Sequence, residues 1–119
     1  MLSDKDSKRI ATYLAAKDNA TVAYPYTKTL AVYSLNDTAF AYLETGKQLL
    51  RLSLRIDQEL SKLLREQYEE VLPAQQLDPR IWNTIIISGQ LSFAELTALI
   101  DHSYQLAAQI NHSDYWTFL

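Results

Sequence analysis

Between Leu50 and Ile56 the chain alternates without a break, with Leu50, Leu52, Leu54 and Ile56 on one side and Arg51, Ser53 and Arg55 on the other. A period of two belongs to an extended strand, here with one apolar face and one polar, basic face. Such a strand needs a second layer over its leucines. Asp57 is placed to cap a helix that supplies it, with Leu60, Leu63, Leu64 and Tyr68 as the apolar stripe. Strand and helix together specify a two-layer α+β sandwich, one sheet face covered by helices and the other open.

The rest of the chain fits that plan. Ser3 can cap a first helix, with Asp4 and Asp6 in its first turn and Ile10, Tyr13, Leu14 and Lys17 at helical spacing. Thr21 to Tyr26 cannot continue it, because Pro25 lacks an amide hydrogen and drives Tyr24 toward extended geometry; it reads as a connector that begins with a short strand. From Lys28 to Arg55, three strand-like runs separated by Asn36-Asp37 and Thr45-Gly46 read as an antiparallel meander, both pairs tolerating the positive φ of tight hairpins. Pro73 is expected to stop the second helix, Trp82 to Ile87 to form a fourth strand, and Ser88-Gly89 to turn the chain. Ser92 and Glu95 form a capping box for a last helix that buries Leu96, Leu99, Ile100, Ala107 and Ile110. The expected order is helix, three strands, helix, strand, helix, in one domain over residues 1–119. The apolar end Tyr115-Trp116-Thr117-Phe118-Leu119 is expected to dock on the core or on a second copy.

Composition narrows the function classes. Hydrophobic residues make up 48% and charged residues 21%, as in a folded globular domain. With no cysteine there is no disulfide, no thiolate zinc site and no cysteine nucleophile, which suits a reducing compartment. MLSDKDSKRI lacks the basic start and apolar run of a signal peptide, and no stretch has the length of a membrane span, so a cytoplasmic protein with no membrane partner is expected.

Catalytic constellations are absent from the pattern. Asp101, His102 and Ser103 are consecutive on a helix and point in different directions, so they cannot form a relay. His102 and His112 have no surrounding carboxylates to make a metal site, and Glu44-Thr45-Gly46-Lys47 leads into a strand where a phosphate loop would open a helix. The expectation is a non-enzyme without metal or cofactor.

The segment Leu63-Leu64-Arg65-Glu66-Gln67, followed by Pro73, Trp82 before a short strand, Gly89, and a helix ending Asp101-x-Ser103-Tyr104, resembles the MmcQ/YjbR family of small bacterial proteins. Tyr24-Pro25 and Ser53-Leu54-Arg55 are similar to that family's pattern too, although a Lys commonly stands where Arg55 stands here. Asn36-Asp37-Thr38-Ala39 and Ile81 depart from it, where members often have a glycine-rich turn with a Lys, and a His. The resemblance implies a fold like that of CyaY and the type III secretion chaperones. It also implies DNA binding through a double-wing arrangement.

Net charge is −3, from eleven Lys and Arg against fourteen Asp and Glu, so a nucleic-acid site must be a local patch. The basic part is the middle of the chain. Lys28 on the first strand of the meander, Lys47 in a hairpin, and Arg51 and Arg55 on the open face form a candidate phosphate-binding strip, with Arg80 at the edge of a loop. Tyr33 and Tyr42 add stacking platforms if they share that face. Two readings follow: a module that grips duplex DNA through the two hairpins, or a protein-interaction module or homodimer using the open face or the aromatic tail.

Overall fold

The computed structural model describes residues 4–117, with side chains described for residues 6–110. Ser3 and the Tyr115–Leu119 aromatic cluster, as capping and docking side chains, lie outside the described ones. The described elements are α1 (Asp4–Ala15), β1 (Ala20–Ala23), β2 (Leu30–Leu35), β3 (Thr38–Glu44), β4 (Arg51–Arg55), α2 (Gln58–Gln67), β5 (Val71–Pro73), β6 (Trp82–Ile86) and α3 (Phe93–Thr117). The strands form one antiparallel six-stranded sheet in the order β1-β2-β3-β4-β6-β5. One face carries the helices. A single core joins Ile10 and Leu14 of α1, Leu64 of α2, and Leu96, Leu99, Ile100 and Ala107 of α3 to the sheet's Ala41, Leu43, Leu52, Leu54 and Ile85.

Local signals set most boundaries. The Leu60 amide donates to Asp57 Oδ1 at 2.9 Å, capping α2. The Ser92 amide donates to Glu95 Oε1 and the Glu95 amide to Ser92 Oγ, at 2.8 and 3.1 Å, closing the capping box of α3. Asn36 and Asp37 both take positive φ, 49° and 68°, as a two-residue hairpin of the favoured hand requires.

The short strand expected at the start of the connector is β1, β5 is additional to the expectation, and both are edges. The connector after α1 turns at Asn19, whose φ is 60°, and Ala20–Ala23 pairs with β2. Helix α2 ends at Gln67, six residues before Pro73: Tyr68 is extended at φ −125°, ψ 120°, and Val71–Pro73 pairs with β6. Pro73 terminates an edge strand, where a missing amide hydrogen costs no ladder bond, and it stops no helix. Leu63 accordingly leaves the expected stripe and is 60% exposed, while Ser61 takes a buried position on α2.

The β2–β3 register shifts between Tyr33 and Ser34, which pair with Ala41 and Ala39 and leave Phe40 as the extra residue. A bulge breaks the alternation, so Phe40 and Ala41 are both buried although they are adjacent. Phe40 sits edge-on to Tyr104 of α3, centroids 5.4 Å apart, and tilted against Tyr33 at 6.4 Å.

The segment Asp101-His102-Ser103-Tyr104 holds the layers together. Successive helical positions turn about 100°, so the four side chains reach four places. Asp101 accepts from the Tyr13 hydroxyl at 2.7 Å and pairs with Lys17, both on or next to α1. His102 Nε2 accepts from the Asp57 amide at 3.2 Å. Ser103 Oγ accepts from the Arg55 amide at 2.8 Å and donates to the Phe40 carbonyl at 2.5 Å, and the Tyr104 hydroxyl donates to the Asp18 carbonyl at 2.6 Å. The bond to Asp101 holds the Tyr13 hydroxyl above its usual pKa range.

Gly46 is needed for room and not for a positive φ. A Cβ there would lie 2.6 Å from Thr29 Oγ1 and 2.9 Å from Thr29 Cβ, closer than real contacts allow. Gly46→Ala is expected to cost about 1 kcal/mol through this overpacking, read as a lower urea midpoint with an unchanged slope. Wild-type stability in the variant would show that Thr29 yields freely.

Candidate functional site

The face away from the helices is formed by the alternate residues of the central strands. The register places Tyr42 beside Ser53, Ser53 beside Thr84 and Arg55 beside Trp82, all on this side. Ser53 Oγ and Thr84 Oγ1 are 2.8 Å apart, a cross-strand pair. This face is only partly open. Trp82 is 5% exposed, with Tyr42 edge-on at 5.2 Å and the Arg55 guanidinium 4.7 Å from its centroid.

A cleft of about 500 Å³ lies beside this cluster. Tyr42 and Ser53 belong to the sheet beneath it, Tyr26 comes from the loop before β2, and Gln75 and Gln76 come from the loop between β5 and β6. Glu44 lines one end. Gln76 is held at φ 68°, a conformation that costs a non-glycine residue energy and that clusters at functional sites. Tyr26 is 69% exposed, whereas burial raises the pKa of Tyr42, with nearby Tyr26 adding to the effect. The β5–β6 loop is pinned from beneath. Arg65 of α2 donates to Asn83 Oδ1 at 2.6 Å and to the Pro79 carbonyl, and Asn83 donates to Ser61 Oγ at 2.8 Å, a connected network that runs from the buried Ser61–Asn83 pair to the surface.

The five basic residues picked out in the sequence divide into two groups. Lys28 lies in the turn before β2, not on a strand of the meander, and is exposed; Lys47 is exposed in the β3–β4 connection. Arg51 begins β4 opposite Glu44. Lys47 and Arg51 act on Glu44, whose carboxyl is held below its usual range by the Thr29 hydroxyl and the Gly46 amide, with those two charges contributing; Lys28 precedes Thr29, whose carbonyl accepts from the Thr45 amide at the same end of the sheet. Arg51 Nε is buried with no hydrogen-bond partner among the described residues, and so is Oε2 of Glu70, the residue that precedes β5.

Arg55 and Arg80 stand apart from this group. Four residues along a strand put Arg55 about 13 Å from Arg51. Its Nε donates to the Ala39 carbonyl at 2.7 Å, and burial pulls its pKa down. Arg80 is paired with Asp78 at 2.9 Å. Tyr33 and Tyr42 do not share a face: Tyr33 belongs to the helix-side core, at 4% exposure. The two hairpins are also separated. Successive turns of a meander fall at opposite ends, and the seven residues of β3 put them about 23 Å apart.

Tyr26, Gln75 and Gln76 were not picked out in the sequence as site residues. The only local signals for them are tyrosines flanking Pro25 and a polar pair in a loop. Among the described residues, no group of three or more His, Cys, Asp or Glu could hold a metal ion, and no helix is long and apolar enough to cross a membrane.

Comparison with known proteins places this arrangement. The YjbR family model matches residues 15–106, which takes in every sheet strand, α2 and the Asp101–Tyr104 segment. Uncharacterized protein YjbR of Escherichia coli K12 is 32% identical over 76 residues, 64% of this chain and 64% of that protein's length, as is its counterpart in strain O157:H7. In structure, the chain is similar to a Deinococcus radiodurans protein with a DUF419 domain, with a TM-score of 0.83 and 20% identity over 90% of this chain and 81% of that one. A Pseudomonas syringae protein solved by crystallography gives 0.72 and 24% over 84% and 97%. These structural likenesses carry the fold. With the family model spanning most of the sequence, the chain belongs to the YjbR family.

Proposed function

We propose that this chain is a non-enzymatic DNA-binding module that holds the phosphate backbone at the β3–β4 end of the open sheet face. The observation that carries this reading is that Lys47 and Arg51 act on Glu44, a residue of the cleft lining, with Lys28 beside Thr29 at the same end of the sheet and Arg51 holding an unmet buried donor. Three cations there outnumber Glu44 and Glu70, so a local positive patch stands on a chain of net charge −3. Arg55 and Arg80 have roles within the fold, so the phosphate strip contracts to this end, and the Asn36-Asp37 hairpin lies outside it.

Three phosphate contacts release about three counterions, so affinity for a short DNA duplex is expected to fall with salt at a log-log slope of about −3. Fluorescence anisotropy across a salt series measures the slope, and amide NMR locates the surface at Lys28, Lys47 and Arg51. Absence of binding at low salt to duplex and single strand alike would remove this reading. A second reading, a protein partner or a second copy on the same face, is favoured by the exposure of Tyr26 and Leu72, at 69% and 42%. It would then lead.

A further inference from the structure

We infer that the open-face cleft takes unpaired bases, so that single-stranded nucleic acid is the ligand class. The inference rests on the phosphate-binding reading above and adds what the cleft itself contributes. Its lining holds the components of a base-binding platform: two tyrosines, Tyr26 and Tyr42, of which Tyr26 exposes most of its surface, and the neutral polar side chains of Thr27, Ser53, Gln75 and Gln76, with Glu44 the one charged residue. An aromatic ring captures a base through its face, and only an unpaired base offers a face; a duplex presents edges and phosphates. Glutamine amides both donate and accept, so Gln75 and Gln76 can meet the freed pairing edge of any base. Lys47 and Arg51, whose charges act on Glu44 of the lining, are then placed to meet the strand's backbone as it leaves the cleft.

Other features of the site agree. A volume of about 500 Å³ suits a small planar group in a pocket and excludes a double helix. The wall bearing Gln76 is held in a positive-φ conformation and tied down through Pro79 to Arg65, so the cleft exists before any ligand arrives. A preformed platform avoids the ordering cost that a mobile loop would add on binding.

The test compares a labelled twelve-nucleotide oligo-dT, the corresponding oligo-U, and a twelve-base-pair duplex by anisotropy at low salt. The wild-type chain is expected to bind a single strand at least tenfold more tightly than the duplex, and a preference for either sugar supports the inference equally. Tyr26→Ala is expected to weaken single-strand binding about tenfold through lost stacking, with duplex binding and the salt slope unchanged. Tyr26→Phe is expected to restore it. Lys47→Ala should lower the single-strand salt slope by about 0.7, the share of one phosphate. Duplex binding as tight as single-strand binding, or wild-type affinity in Tyr26→Ala, would overturn the inference while leaving phosphate binding in place. Binding to none of the three would overturn both. Tyr26 is exposed, so its variants keep the fold, and their amide spectra check this.

Discussion

Phe40→Ala is expected to lower the unfolding free energy by about 4 kcal/mol, within the range for removing a buried phenylalanine. The ring is fully buried, packed edge-on to Tyr104 of α3 and against Tyr33 of β2. It stands at the bulge, where the strand has been bent to place it under α3. Backbone on both sides is fixed by β2 and by the Ser103 bond, so collapse around the void is restricted. A domain of this size has about 5–15 kcal/mol in total, so the variant should be marginal. Urea unfolding measures the change, and a loss under about 2 kcal/mol would show that the bulge relaxes and that Phe40 is not the joint between sheet and α3.

The second large effect belongs to a hydroxyl. Ser103→Ala is expected to cost about 3 kcal/mol, because it strands two backbone groups, the part-buried Arg55 amide and the buried Phe40 carbonyl. The Ser103 side chain is completely buried, and alanine fills almost the same space, so the loss is one of hydrogen bonding with little change in packing. Two readings should move together: the unfolding midpoint, and amide exchange at Arg55, which should accelerate by more than the global loss predicts. A stability change below 1 kcal/mol with unaltered exchange would mean that β4 closes its own ladder at Arg55 without the serine.

These two residues also show where legibility ended. Ser103, next to Tyr104 on the last helix, is legible as a polar residue without a catalytic relay and so as a bond from helix to sheet, but its two partners, in β4 and β3, are not. Phe40 carries no such local signal. A phenylalanine between two alanines in a strand gives no sign that a bulge will turn it inward. The candidate strip was legible in the same partial way. Lys47 and Arg51 lie where the pattern put them, but Arg55 carries the same charge on the same face and is held by Trp82 and Ala39. That difference follows from the Arg55–Trp82 pairing of β4 with β6, a neighbour absent from any window around Arg55.

The sequence alone determined the features whose physics is complete within a few residues. These are the alternation of β4, the Asp57 cap, the Ser92–Glu95 box and the left-handed Asn36–Asp37 turn, along with the lack of cysteine chemistry. Each depends on periodicity or on a hydrogen bond reaching three or four positions along the chain. Tertiary structure alone decided the edge strand β5, the bulge at Phe40, the opposite faces of Tyr33 and Tyr42, and the meeting of Tyr26 with Gln75 and Gln76 over the sheet. A three-residue strand has no period to read, and it exists because β6 offers it a ladder. The bonds that join the layers span 48, 63 and 86 residues, so their partners are chosen by how helices and sheet pack, which no local pattern encodes.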